Sequence, residues 1–400
     1  MTAQMKQLSK LTEVLIRSLS LCLALSLSAC GGGSSSTSNG NSGSSSTGSN
    51  TGTGSSTGTG TSTGTGSSTG TGTPSCSVAQ LEADMSTQLA QLNTDTDFSF
   101  AVERDDGRRY NYNRGASTMQ TSYESASTSK MVTGVIIMRL VERGILKLDD
   151  KPQDWIPNWP IPANSGLRNM TLRNLLSFTS GLTEEPLCIN SGLFNFESCV
   201  SNIATVNASN TMQPGTEFYY SSSHLQVAGL MAIKARGMSS WQNIFDEFRQ
   251  QTGLFKSASY DLPSLANPRL AGGMHWTATE YLEFLSALKA GKLLSSTMQA
   301  QYLQDQTANA KFVYSPAAVL NEAWHYGFAY WQECQSPTFN CVPASRISSP
   351  GAYGAYPYWD RDKSYVGIVA RQGALGTFPK GVDIERAIRP KVEAWLACKG

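Results

Sequence analysis

Ser127-Thr128-Ser129-Lys130 sets a hydroxyl and an amine three positions apart. On a helix that spacing puts both side chains on one face, one turn apart. This is the S-x-x-K arrangement, in which the serine attacks a carbonyl carbon and the lysine takes up its proton. The tetrapeptide alone says little, because Ser286-Ala287-Leu288-Lys289 matches it as well. That second match lies inside an amphipathic run from Ala278 to a stop at Gly291 and reads as helix surface. Ser127 instead stands where a loop enters a strongly apolar helix that runs through Val141 and is ended by Gly144. A helix N-terminus favours negative charge developing beside it. Desolvation among apolar side chains lowers the pKa of a lysine and makes it a usable base. The plain alternative for Ser127 is a helix cap.

Other hydrolytic constellations fit less well. Gly54-Ser55-Ser56-Thr57-Gly58 has the G-x-S-x-G form, but in a low-complexity stretch rather than on a strand-to-helix turn. A Ser, His and Asp triad would have to use His224, His275 or His325. His224 falls one turn past Tyr220 and is placed to line a pocket, whereas the other two read as packing or sheet residues. Three His and no C-x-x-C spacing point to no metal centre, and the chemistry above needs no cofactor.

The elements that must position Ser127 can be read around it. Val78, Leu81, Met85, Leu89 and Leu92 recur at helical spacing. Strand-like runs at 98–104 and 108–113 flank Asp106-Gly107, a hairpin signal. From about 150 to 320 the chain reads as helices and loops, and strand-like runs return at 325–332, 352–359 and 364–371. A last helix over 383–396 places Ile384, Ile388, Val392 and Trp395 on one face, with Pro390 bending it. Two strands early and three late predict an α/β (α+β) fold. Its antiparallel five-stranded sheet is assembled from both ends of the chain, flanked by helices, and interrupted by an inserted all-helical subdomain.

The chain has 400 residues, and three segments divide it. Residues 1–29 carry Lys6, Lys10 and Arg17 ahead of an apolar stretch from Leu19 to Leu27, the layout of a secretory signal. Leu27-Ser28-Ala29-Cys30 resembles the lipobox, which implies a diacylated Cys30. With Gly31 rather than Asp after it, the expected address is the outer membrane of a bacterial envelope. Residues 31–75 hold only Gly, Ser, Thr, Asn and one Pro. They cannot bury apolar surface, and as a flexible leash they reach roughly 35 to 40 Å. Residues 76–400 carry the apolar content for one large domain, with no run of 18 apolar residues that would span a membrane.

A net charge of +1 and 15% charged residues argue against nucleic acid as a partner. Cys76, Cys188, Cys199, Cys334, Cys341 and Cys398 remain in the domain, and six cysteines in an oxidising compartment suggest disulfides. Sequence permits 15 pairings. Chain proximity favours Cys188 with Cys199 and Cys334 with Cys341, leaving Cys76 with Cys398.

Four further runs extend the pattern: Gly144–Asp150 as GILKLDD, Thr171–Leu182 as TLRNLLSFTSGL, Pro214–Ser222 as PGTEFYYSS and Pro268–Gly273 as PRLAGG. In this order, over roughly residues 95–396, the chain resembles the serine β-lactamase-related family of class C β-lactamases, D-alanyl-D-alanine peptidases and family VIII esterases. The resemblance implies a β-lactamase/transpeptidase-like fold, Ser127 as nucleophile and Lys130 as its partner. It matches Tyr220 to the tyrosine of Y-x-N, which passes a proton to the leaving group and later activates water.

Two positions depart from that pattern. Ser222 stands where Asn is usual and is a shorter group for holding a substrate amide. Ser349-Pro350-Gly351 stands in place of K-T-G or H-x-G and leads toward a strand, without the cation that recognises a carboxylate. Gly351 is expected to let the backbone approach a substrate, and the Ala352 N–H to form the oxyanion hole with that of Ser127. The resulting expectation is an envelope lipoprotein serine hydrolase acting on a small-molecule ester, amide or peptide, with a lean toward a carboxylic ester or small amide. The alternatives are a D-alanyl-D-alanine carboxypeptidase or β-lactamase, and a non-catalytic binding module of the same fold.

Overall fold

A computed structural model describes residues 76–398. The expected signal over 1–29, the expected lipidation site Cys30 and the expected leash over 31–75 lie outside the described residues.

The fold is α/β, with a mostly antiparallel sheet. Its strands run, in spatial order, Arg109–Asn113, Ser99–Glu103, Tyr365–Ala370, Tyr356–Asp360, Arg346–Ser348, Trp331–Glu333 and His325–Tyr326. The first and last parts of the chain meet at its centre, where Ser99 opposes Ala370 and Glu103 opposes Val366. All five residues of Ser99–Glu103 and all six of Tyr365–Ala370 are buried. Helices cover these strands: Ala278–Lys289 packs on them, as does Phe378–Ala397, which also pairs with Val78–Gln91. That double cover explains why the central strands lack an apolar and polar alternation. Cys76 and Cys398 join the ends of those two helices, and Cys188–Cys199 and Cys334–Cys341 close local loops. The two local pairs are those that chain proximity favours, and Cys76–Cys398 is the pair they leave.

The sheet has seven strands where five were expected. The run at 325–332 is two strands, because Ala329 adopts a φ of 66° and Gly327 N–H bonds the Tyr330 carbonyl, turning the chain back. Arg346–Ser348 adds another, too short to show a pattern of its own. The run at 352–359 enters the sheet only at Tyr356, since a turn closed by Gly354 N–H on the Gly351 carbonyl precedes it. The expected all-helical insertion is corrected likewise. It is mainly helical, but Glu217–Tyr219 pairs in parallel with Lys311–Tyr314, and Met274–Thr277 pairs with Ser122–Glu124 and Ser259–Tyr260. Strands of two to four residues leave almost no periodicity to read.

The helix Ser129–Glu142 runs through the middle, with Met131, Val132, Val135, Ile137 and Met138 fully enclosed. It lies so close to the 327–330 turn that a Cβ on Gly134 would stand 2.6 Å from the Phe328 carbonyl oxygen. The last helix, Phe378–Ala397, starts earlier than expected, includes Pro390, and buries Ile384, Ile388, Val392 and Trp395. Among the described residues no helix is long and apolar enough to cross a membrane.

Candidate active site

Ser127 occupies a single 3-10 turn, Ala126–Thr128, that leads directly into the helix Ser129–Glu142. Ala126 is held at a φ of 44°, a conformation that costs a non-glycine residue and persists only when its surroundings enforce it. The enforcing contacts come from several parts of the chain. Ser125 N–H bonds the Met274 carbonyl at 2.8 Å, Tyr281 Oη donates to the Thr128 carbonyl at 2.7 Å, and Trp276 Nε1 donates to Thr128 Oγ1 at 2.7 Å. Ser349 Oγ donates to the carbonyl of Ser127 itself at 2.8 Å.

Lys130 lies one turn along, 3% exposed, and its Nζ donates to Ser127 Oγ at 2.9 Å and to the Ala271 carbonyl at 2.7 Å. Burial, which disfavours the ammonium, brings its pKa down to about 7; Glu185 opposes the shift and Arg269 adds to it. The run Pro268–Gly273 supplies this environment. Gln226 pins it through the Pro268 carbonyl and the Leu270 N–H, at 3.1 and 2.7 Å, so that the Leu270 carbonyl meets Thr133 and the Ala271 carbonyl meets Lys130.

Tyr220 arrives on the opposite side. Its ring stacks on Trp331 with centroids 5.2 Å apart, and Lys130 Nζ stands 4.7 Å from the ring centroid. Burial pushes the phenol pKa up, while the neighbouring Ser127 works against that shift. The phenol therefore stays protonated, as a proton donor must. Phe178, from the Thr171–Leu182 run, takes a φ of 60°, and its carbonyl accepts the Tyr219 N–H at 3.1 Å. His224 is buried behind these residues, between Ser180 Oγ at 2.8 Å and the Tyr219 carbonyl at 2.9 Å. It does not line the cleft as its spacing from Tyr220 suggested. Burial brings its pKa down to about 4, so the ring is neutral. His275 and His325 are paired with Asp261 and Asp305, and no histidine reaches Ser127.

A cleft of about 800 Å³ opens over Ser127, Lys130, Tyr220, Ser222 and Ala352. The backbone N–H groups of Ser127 and Ala352 have no acceptor among the described residues and so can hold an oxyanion. Ser222 donates its N–H to Glu185 and leaves its hydroxyl at the cleft.

Two expectations about the third motif change. Ser349 is buried and grips the nucleophile turn instead of facing substrate. Gly351 is required because a Cβ there would stand 2.5 Å from the Ser125 carbonyl oxygen; what approaches it is the nucleophile turn. Among the cleft residues that the sequence did not single out are Glu185 and Arg269. Arg269 bonds Asn190 and the Gly272 carbonyl and has no ion-pair partner among the described residues. Its signal was its place inside the PRLAGG run. Glu185, three residues after the TSGL run, has a weaker one.

The comparisons with known proteins bear on the family and the fold. The family model described as Beta-lactamase matches residues 98–387. A curated relative, Protein flp of Staphylococcus aureus strain MW2, is 26% identical over 146 residues, which is 35% of this chain and 29% of that protein. The chain thus matches under a third of that relative's length. Among solved structures, EstCE1, titled a hydrolase with promiscuous acyltransferase activity, superimposes with a TM-score of 0.63 at 19% identity, covering 79% of this chain and 98% of that one. A penicillin binding protein from Bacillus halodurans does so with a TM-score of 0.57 at 18% identity, over 79% and 98%. These structural likenesses speak for the fold, and the family model speaks for descent. The chain belongs to the beta-lactamase family, a family of serine hydrolases.

Proposed function

We propose that this protein forms an acyl-enzyme on Ser127 and cleaves a carboxylic ester or small amide. The observation that carries the reading is the 2.9 Å contact between Lys130 Nζ and Ser127 Oγ, made by a lysine whose pKa is brought down to about 7. Near neutral pH the unprotonated amine accepts the serine proton as Oγ bonds to the carbonyl carbon. The displaced carbonyl electron pair rests on an oxygen facing the N–H groups of Ser127 and Ala352. The tetrahedral adduct collapses, the bond to the leaving group breaks, and the Tyr220 phenol supplies the proton that group needs. Water then adds to the acyl-enzyme by the reverse transfers and frees the acid.

The lean to a neutral ester or amide follows from Ser349-Pro350-Gly351, which brings no cation to the cleft. A second reading, hydrolysis of a D-alanyl peptide or β-lactam, draws support from Arg269, a cation in the same cleft that could meet a carboxylate. Competition between penicillin and a chromogenic ester separates the two. In the envelope reading, residues 1–29 export the chain, Cys30 carries the lipid, and residues 31–75 leash the domain to the outer membrane. Loss of palmitate labelling in Cys30→Ala tests the anchor.

The hydrolase reading is tested by intact mass after exposure to a fluorophosphonate. One adduct on the parent protein and none on Ser127→Ala is the expected result. No adduct on either protein would sink the reading and favour a non-catalytic binding module.

A further inference from the structure

Beside the cleft lies a smaller, partly open cavity of about 200 Å³. Ser127, Tyr220, Tyr314 and Ala352 line both this cavity and the cleft, so it borders the reacting carbonyl position of the proposed acyl transfer. The rest of its lining is Pro316, Ala317, Trp324, Trp331, Pro350 and Phe378. Trp324 and Trp331 are 2% and 3% exposed, with centroids 6.0 Å apart. Trp324 Nε1 is already bonded to Glu322 Oε2 at 2.7 Å, and Trp331 is stacked on Tyr220. The wall is thus held in place by its own contacts, and no charged side chain lines it.

The larger cleft is different in kind: Glu184, Glu185, Asn190 and Arg269 are among its lining residues. A carboxylate or ammonium entering the small cavity would lose its hydration without gaining a partner. An apolar group entering it leaves water for a preformed apolar surface. An apolar cavity of roughly 150 Å³ is known to hold benzene, so this one suits a phenyl ring or a short branched chain.

We infer that the substrate has a compact, uncharged, apolar arm attached to its scissile carbonyl or leaving oxygen, and that the Trp324 and Trp331 cavity binds it. The polar remainder of the substrate lies in the larger cleft. The inference rests on the acyl-transfer reading and narrows the substrate from any ester or amide to one that is apolar on one side.

The test uses the full-length protein and two ester series. In one the alcohol is p-nitrophenol and the acyl group is acetyl, butyryl, benzoyl or dodecanoyl. In the other the acyl group is acetyl and the alcohol is methyl or benzyl. One series is expected to show kcat/KM rising by about tenfold or more once the arm fills the cavity. In the acyl series the rate then falls for dodecanoyl, which outgrows the space; whichever series responds identifies the arm. Ala317→Phe, which narrows the cavity from its wall, should abolish the gain, so that the ratio of kcat/KM for the responding ester to that for the smallest ester of its series falls by about tenfold. Ala317→Leu is a smaller plug for the same purpose, and the rate of fluorophosphonate labelling shows that each variant is folded. Equal kcat/KM across both series, or an equal loss for every ester in both plugged variants, would overturn the inference while leaving the hydrolase reading standing. Absence of all turnover together with absence of a Ser127 adduct would overturn both.

Discussion

Lys130 and Arg346 are buried to the same degree, 3% and 4% exposed, and their surroundings treat them in opposite ways. Arg346 meets Glu385 at 2.6 Å and Asp360 at 2.8 Å, donates to Tyr365 Oη at 2.7 Å, and lies over the Tyr358 ring. Its pKa is held above the usual arginine value against the pull of burial, by Glu385 first among its neighbours. Lys130 meets a hydroxyl and a carbonyl, with no carboxylate at ion-pair distance among the described residues, and burial carries its pKa down to about 7. A buried cation given its counter-ions is structural. One denied them becomes a base, at a cost in stability.

The contrast can be broken most sharply at Lys130. Lys130→Met should lower ester kcat/KM by roughly a thousandfold, within the range for losing a general base. The same variant should unfold at a higher temperature, because it removes a buried group that folding must strip of its proton. Between pH 7 and 10.5 the folded protein holds fewer protons at this site than the unfolded chain. The penalty on folding is therefore full below about pH 7 and fades toward 10.5, and the gain from Lys130→Met, followed by calorimetry, should fade with it. A variant less stable than the parent at pH 7 would contradict the account.

Arg346→Met should do the reverse. It leaves Asp360 buried without its cation and Glu385 with Arg389 alone, which costs about 3–5 kcal/mol in urea unfolding. The fluorophosphonate labelling rate of the folded protein should not change, because none of this cluster lines the cleft.

The smallest effects sharpen the comparison within the cleft itself. Arg269 presses the Lys130 pKa down and Glu185 holds it up. Arg269→Met should move the rising limb of the pH–rate profile to higher pH, and Glu185→Gln should move it to lower pH. Shifts of the same sign would show that neither acts through Lys130.

Ser127 and Lys130 were legible because S-x-x-K needs only one helical turn to bring them together, and the apolar run after them announces that turn. The first hairpin was legible from Asp106-Gly107, where Gly107 takes a φ of 82°. The 325–332 hairpin was not, because Ala329 makes the positive-φ turn with no residue type that favours it. Glu185 and Arg269 act on Lys130 through space, from segments remote in sequence, which no local pattern encodes. A glycine shows that something comes close without showing what, and so Gly351 was read as facing substrate when it faces the turn of Ser125. His224 was placed in the pocket by spacing alone, yet it lies in a helix turn that is buried throughout, from Ser223 to Ile233.

The central claim is that an unpaired, buried lysine activates Ser127 near neutral pH. Its most direct test is the rate of fluorophosphonate labelling of Ser127 measured from pH 5.5 to 10.5. The account predicts a rate that rises through about pH 7 as Lys130 loses its proton and then levels off. A rate independent of pH, or one that climbs only near the ordinary lysine value of 10.5, would contradict it.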